Sequence, residues 1–192
     1  MAPTIFGVGS GLFNKHSIQI PALVAAALAH GRAVVFGDGE GVWDHVHVQD
    51  LAALYEILAL RALDDNDDDD EAAAAREDLP RGKKGIVFAG AGRHSWNDVA
   101  RGVARAAHAA GALPDTRVDR LGVAGAVRVL AAAFPLMAHE VIVDLGLASN
   151  VRTVATVARR LGWRPARGEE AWEQGFREEV DHALRERREK GR

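Results

Sequence analysis

Four groups of residues in this 192-residue chain have types and spacings that invite chemistry. His45 and His47 alternate along a predicted strand and share one face, with Asp44 and Asp50 close by, and a His-x-His pair of this kind can begin a metal site. No third ligand stands at a definite spacing, so no metal ligand is assigned. The pair reads better as strand histidines that hydrogen-bond the neighbouring backbone or a substrate. Two glycine loops, Gly7-Val8-Gly9 and Gly90-Ala91-Gly92, invite comparison with G-x-G-x-x-G, which brings backbone amides up to a pyrophosphate at a helix start. Leu12 and Ser95 stand where the third glycine belongs, and the second loop reads as a tight turn from strand to helix. Ser10 has Val8 and Leu12 where G-x-S-x-G needs glycines, which removes a serine-hydrolase nucleophile. Asp65, Asp67 and Asp69 could open a calcium loop, but Asp70 replaces its glycine and Arg76 its bidentate acid.

These residues need elements to position them. Pro3-Thr4-Ile5-Phe6-Gly7-Val8-Gly9-Ser10-Gly11 reads as an apolar strand end running straight into a glycine-rich loop with no element before it, as though the fold began in mid-strand. Ile20 to Ala29 reads as a helix, with Pro21 in its first turn and Gly31 just past its end. Ala33 to Phe36 and Val42 to Val48 read as strands either side of a Gly37–Gly41 turn, placed to pair as a hairpin. Leu51, Leu54, Tyr55 and Leu58 recur at helical spacing behind Asp50, with Tyr55 on the apolar face. Gly85 to Ala89 reads as a buried strand leading to a helix capped by Ser95 and Asp98. A buried helix is expected over Val123 to Phe134, and another over Val151 to Leu161, capped by Ser149 or Asn150 and stopped by Gly162. Trp172, Phe176, Val180 and Leu184 form a stripe on a last helix. Strands interleaved with helices predict a single α/β or α+β layered domain over residues 1–192, with too few strands for a complete doubly wound sheet.

Composition narrows the function classes. With 48% apolar and 27% charged residues the chain is globular rather than disordered. The absence of cysteine excludes a disulfide framework and thiolate chemistry, and is compatible with a cytoplasmic location. Seven acids between Asp64 and Glu71 account for more than the whole net charge of −3, leaving +4 elsewhere. That run lies in what reads as a flexible acidic loop over residues 64–84. No basic stripe of the kind nucleic-acid binding needs is present, and Arg185, Arg187, Arg188, Lys190 and Arg192 read as a solvated helix end. No run of about 18 apolar residues points to a membrane span.

Three blocks then carry a resemblance. The opening Pro3-Thr4-Ile5-Phe6-Gly7 resembles the segment that follows the catalytic Tyr-x-x-x-Lys helix of extended short-chain dehydrogenases. Val35-Phe36-Gly37-Asp38-Gly39-Glu40, then Trp43 and Val46-His47-Val48-Gln49-Asp50-Leu51-Ala52, resemble that family's glycine turn and the acidic helix start after it. Leu161-Gly162-Trp163-Arg164-Pro165, preceded by Ser149-Asn150 and Arg152, resembles the closing block of the NAD-dependent epimerase/dehydratase members.

The resemblance implies a carboxyl-terminal substrate lobe with the last part of a Rossmann-like sheet, in a chain whose amino-terminal Rossmann half lies elsewhere. The parent activity it implies is hydride transfer on an aldehyde, ketone or sugar-nucleotide substrate with NAD or NADP. In that family a tyrosinate paired with a lysine moves the proton. Here the only tyrosine is Tyr55, followed four residues later by Ala59. No catalytic residue is therefore assigned, the chain is expected to be inactive and to bind no cofactor alone, and its alternative reading is a non-catalytic module that docks on a Rossmann partner. By position, Pro3, Thr4 and Ile5 would lie against the nicotinamide. Phe13, Asn14, His16, Trp43 and His47 would line the substrate cleft, and Arg152 would meet an anionic substrate group or Asp144. The partners implied are a small-molecule substrate, neither nucleic acid nor membrane, and a second copy on any surface the missing half leaves open.

Overall fold

The computed structural model describes residues 3–63 and 79–190. The calcium-like positions, Glu71 and Arg192 lie outside the described residues. In chain order the elements are β1 (Thr4–Phe6), α1 (Gln19–His30), β2 (Ala33–Phe36), β3 (Val42–His47), α2 (Val48–Leu63), β4 (Gly92–Ser95), α3 (Trp96–Ala109), β5 (Val118–Leu121), α4 (Val123–Ala133), α5 (Glu140–Leu147), α6 (Thr156–Arg160) and α7 (Glu169–Lys190). Two short 3₁₀ turns, Gly82–Lys84 and Pro135–Met137, join them. The mixed α/β class expected from the sequence is the class observed.

Local signals account for the firmest helices. Gly31 closes α1 in the left-handed region at φ 83°, returning its amide to the Ala27 carbonyl. Ser95 and Asp98 form a reciprocal capping box at the start of α3, with the Asp98 amide donating to Ser95 Oγ at 3.1 Å and the Ser95 amide to Asp98 Oδ2 at 2.8 Å. Along α7 the stripe spaced four residues apart buries Trp172, Phe176 and Val180 and leaves Leu184 half-buried.

The sheets are less local. β3 lies between β1, which it pairs in parallel, and β4, which it pairs antiparallel, while β2 pairs in parallel with β5 in a second, two-stranded sheet. The expected β2–β3 hairpin does not form. Gly37 and Gly39 turn with positive φ, but a Cβ at Gly39 would collide with the Asn97 amide, and Asn97 donates from its backbone to Gly39 O and from its side chain to Asp38 O. The turn is thus pinned to the start of α3 and sends β2 and β3 to different sheets. The strand expected at Gly85–Ala89 forms later, at Gly92–Ser95, because its partner there is β3. The helix expected from Val151 shrinks to Thr156–Arg160: Asn150 does not cap it but accepts from the Val42 amide at 2.9 Å, and Val151 bridges to Trp43. α4 forms where expected but fully buries only Ala126 and Leu130. Tyr55 is 63% exposed rather than in the core, while Leu51 and Leu54 of the same helix are buried.

Two apolar clusters result. The larger gathers α1, α3, α4 and α7 around β2, with Val24, Val34, Trp96, Leu130 and Phe176 fully enclosed. The smaller joins Val46, Leu51, Leu54, Ala155 and Trp163 beneath α2. Where α3 meets α7, Gly102 lies flat against the Phe176 ring, and a Cβ there would collide with it. Overpacking at such a site costs about 1–3 kcal/mol, against roughly 1 kcal/mol returned by alanine's helix propensity. Gly102→Ala should therefore lower the urea-unfolding free energy by up to about 2 kcal/mol, and a raised midpoint would contradict this packing.

Candidate functional site

β3 places three polar side chains, Asp44, His45 and His47, and α2 opens with a fourth, Asp50; the partners of all but His47 come from distant segments. Asp44 is buried and receives Arg93 Nε at 2.7 Å and Thr153 Oγ1 at 2.7 Å, besides the Thr153 amide. Burial works to raise this carboxyl, and the Thr153 and Arg93 hydrogen bonds outweigh it and hold it below the usual carboxylate range. His45 and His94 share a bond between their Nδ1 atoms at 3.1 Å. His45 also stacks on Trp172 with centroids 4.0 Å apart. Among the described residues His94 Nε2 is buried without a partner. An orphaned imidazole lone pair costs less than an orphaned N–H, so the favoured tautomer has His94 donating from Nδ1 to His45. Burial depresses both rings, His45 to about 4 and His94 to about 3. His47 packs edge-on against Phe6 with centroids 5.1 Å apart, and its Nδ1 accepts from the Gln49 amide at 3.2 Å. At the start of α2, Asp50 receives the Arg167 amide at 3.0 Å and its guanidinium at 2.9 Å.

Beyond β1 the chain turns at Gly7, whose φ of 85° suits glycine and where a Cβ would collide with the His47 ring. The loop that follows closes through the Gly9 amide donating to Lys15 O at 2.8 Å. It forms one wall of a cleft of about 580 Å³, whose lining includes Pro3, Ile5, Asn14, His16, Trp43 and Met137. Trp43 tilts against Trp96 and donates from Nε1 to Ser149 Oγ at 3.2 Å, which anchors the ring in the cleft wall. At the opposite wall Gln19 donates to Gly146 O at 2.6 Å, tying α1 to α5.

One residue of the lining belongs to a wider cluster. His16 Nδ1 lies 3.1 Å from Glu179 Oε2, and its ring stacks face to face on His182 with centroids 3.7 Å apart. Glu179 is 3% exposed. Burial raises its carboxyl and His16 draws it back, so the imidazole is the group that makes a carboxylate tolerable there. The Glu179 bond commits His16 Nδ1 and sets the ring's orientation, leaving Nε2 as its other hydrogen-bonding atom.

Of the residues expected at a site, the structure brings Pro3, Ile5, Asn14, His16 and Trp43 to this cleft. Thr4 is fully buried, with a hydroxyl that has no partner among the described residues. Phe13 is 87% exposed on the loop, and His47 lies behind Gly7. Arg152 is exposed, and among the described residues it forms no ion pair with Asp144. Sequence reasoning missed Gln19, Met137, Gly146 and the Glu179–His182 pair. Glu179 alone carried a signal, an acid beside Phe176 and Val180 on the buried face of α7.

A dinucleotide's pyrophosphate does not fit the described glycine loops. Cβ atoms at Gly90 and Gly92 would meet Asp44 and the His45 ring, so these glycines admit β3, not a phosphate, and a buried carboxylate stands beside them. Gly7 is likewise filled by His47.

No protein-family model matches the sequence. The oxidase ucsJ of an Acremonium species is 29% identical over 121 residues, which is 63% of this chain and 34% of that protein. The fold is shared with solved epimerases. A UDP-glucose 4-epimerase of Thermotoga maritima, solved with UDP-glucose, matches at a TM-score of 0.50 and 16% identity, over 96% of this chain and 44% of that one. Epimerase Mth375 of Methanothermobacter thermautotrophicus matches at 0.53 and 13% identity, over 97% and 44%. The PbgP3 protein of Burkholderia pseudomallei matches at 0.51 and 14% identity, over 95% and 46%. The chain thus spans about a third of the curated relative and under half of the solved chains. No helix among the described residues is long and apolar enough to cross a membrane.

The buried imidazoles make a pH prediction. A histidine depressed in the folded state takes up its proton more readily when unfolded, so stability is complete above the ordinary 6.5 and falls as pH drops toward the folded values of about 4 and about 3. His47 and His182, also lowered by burial, act in the same sense, and Glu179 opposes them. Urea unfolding should lose on the order of a few kcal/mol between pH 7 and pH 4.5, before the aspartates begin to titrate. A flat profile over that range would show that His45 and His94 are solvated.

Proposed function

We propose that the chain forms the substrate lobe of a nicotinamide-dependent oxidoreductase or epimerase of the short-chain dehydrogenase type. Its parent reaction is hydride transfer between NAD or NADP and a carbonyl or alcohol. The supporting observation is the convergence of Pro3, Ile5, Asn14, His16 and Trp43, all named from the sequence resemblance, on a single cleft. The fold shared with the solved epimerases agrees with this reading, and so does the partial span of those chains.

The reading divides the labour. A nicotinamide, when bound by the complete enzyme, supplies or accepts the hydride. This chain's part is to enclose the substrate: Trp43 and Ile5 exclude water, and His16, oriented by Glu179, meets a polar atom of the substrate. The proton-transfer pair and phosphate cradle of the family have no counterpart among Tyr55, Ala59 and the two glycine loops, so the chain alone is inactive. A cytoplasmic location is part of the proposal.

A second reading has its own support. β1 is an edge strand among the described residues, and Leu12 and Phe13 on the following loop are 90% and 87% exposed. A module of this shape could dock on a separate Rossmann partner or on its own copy without turning over substrate.

Calorimetry tests the first reading: NADH and NADPH should each show no binding to the chain at micromolar concentration. Micromolar binding of either overturns the division of labour. Light scattering tests the second, which predicts a concentration-dependent dimer or binding of a hydrophobic dye, and a clean monomer that binds no dye removes its basis.

A further inference from the structure

Resting on the substrate-lobe reading, we infer that the cleft between the Gly7–Ile18 loop and Trp43 takes a neutral, ring-bearing ketone or its alcohol, and not a nucleotide sugar.

Charge and lining select the substrate class. A sugar nucleotide carries a diphosphate, and burying one requires several charge-assisted donors, for which arginine forks are the usual supply. Among the described residues no arginine lines this cleft. Arg93 and Arg167 are spent on Asp44 and Asp50, and Arg152 lies outside the lining. Lys15, the one lysine among the described lining residues, is exposed on the loop, and a single solvated ammonium cannot replace a donor set. The start of α1 borders the cleft, but Ile18 stands at its cap and the Gln19 side-chain amide is turned to Gly146 O, so the helix end adds only the neutral Ser17 hydroxyl, which has no partner among the described residues.

What the lining offers instead is carbon. Pro3, Ile5, Trp43, Val48 and Met137 supply apolar surface, and the indole's one polar atom is already used by Ser149. A volume of about 580 Å³ is of small-molecule size. Asn14 and His16 provide a few polar atoms, enough to orient a single oxygen but not to neutralise two phosphates.

The test uses the full chain and two probes, 2-acetonaphthone and UDP-glucose, followed through the indole N–H signals of the four tryptophans by NMR. Trp43→Phe assigns the Trp43 signal. The ketone should shift that signal at sub-millimolar concentration, with at least tenfold preference over UDP-glucose, and Trp43→Phe should weaken ketone binding several-fold, read on the remaining indole signals. If the variant does not fold, the preference of the wild-type chain between the two probes still decides the matter. UDP-glucose shifting the Trp43 signal at equal or lower concentration overturns the substrate class and leaves the substrate-lobe reading standing. Neither probe shifting that signal at millimolar concentration overturns both.

Discussion

The structure depends on one constraint: β3 is enclosed on both faces while carrying Asp44, His45 and His47, so each polar side chain must find a partner. The partners of Asp44 and His45 come from far along the chain, and that of His47 from two residues on. Thr153 and Arg93 meet Asp44, His94 meets His45, and Gln49 meets His47. Gly92 and Gly7 are the places where β4 and the β1 loop come close enough to the imidazoles for this to happen. A methyl group at either position would separate the strand from its neighbour. Unpartnered, a buried carboxylate and two buried imidazoles would cost more than the small strands could offset.

The cleft inherits its shape from that arrangement. Because Gly7 is pressed on His47, the chain leaves the sheet at once and has to be caught again farther out. Glu179 and His182, one turn apart on α7, catch it by bonding and stacking on His16. The loop is held at its root by the sheet and near its end by a helix, with Trp43 fixed between them through Ser149 and Trp96. The cleft is therefore a product of tertiary contacts, and the exposed Phe13 shows how little of the loop itself is packed.

What could be read in the residues divides along the same line. The Ser95–Asp98 cap, the Gly31 stop and the α7 stripe are local in sequence, and each is where the spacing puts it. The β2–β3 hairpin failed because Asn97 competes for the turn, and Asn150 left its expected cap to bond Val42; both contacts join segments far apart in sequence. Gly90 and Gly92 looked like half of a phosphate loop, yet their lack of side chains serves β3. Five cleft residues followed from family resemblance, but Met137 and Gly146 come from a distant segment whose approach no periodicity encodes. Tyr55 departs from expectation because an aromatic ring at helical spacing reads as core even where, among the described residues, it stays largely exposed.

The proposed function separates recognition from redox chemistry, giving the cleft to this chain and the hydride donor's cradle, with its phenol and amine, to the rest of the enzyme. Stereospecifically deuterated NADPH gives the most direct test, incubated with the purified chain and an aromatic ketone and followed by mass spectrometry of the product alcohol. The account predicts no deuterium above the enzyme-free control. Stereospecific deuterium transfer by this polypeptide alone would contradict it.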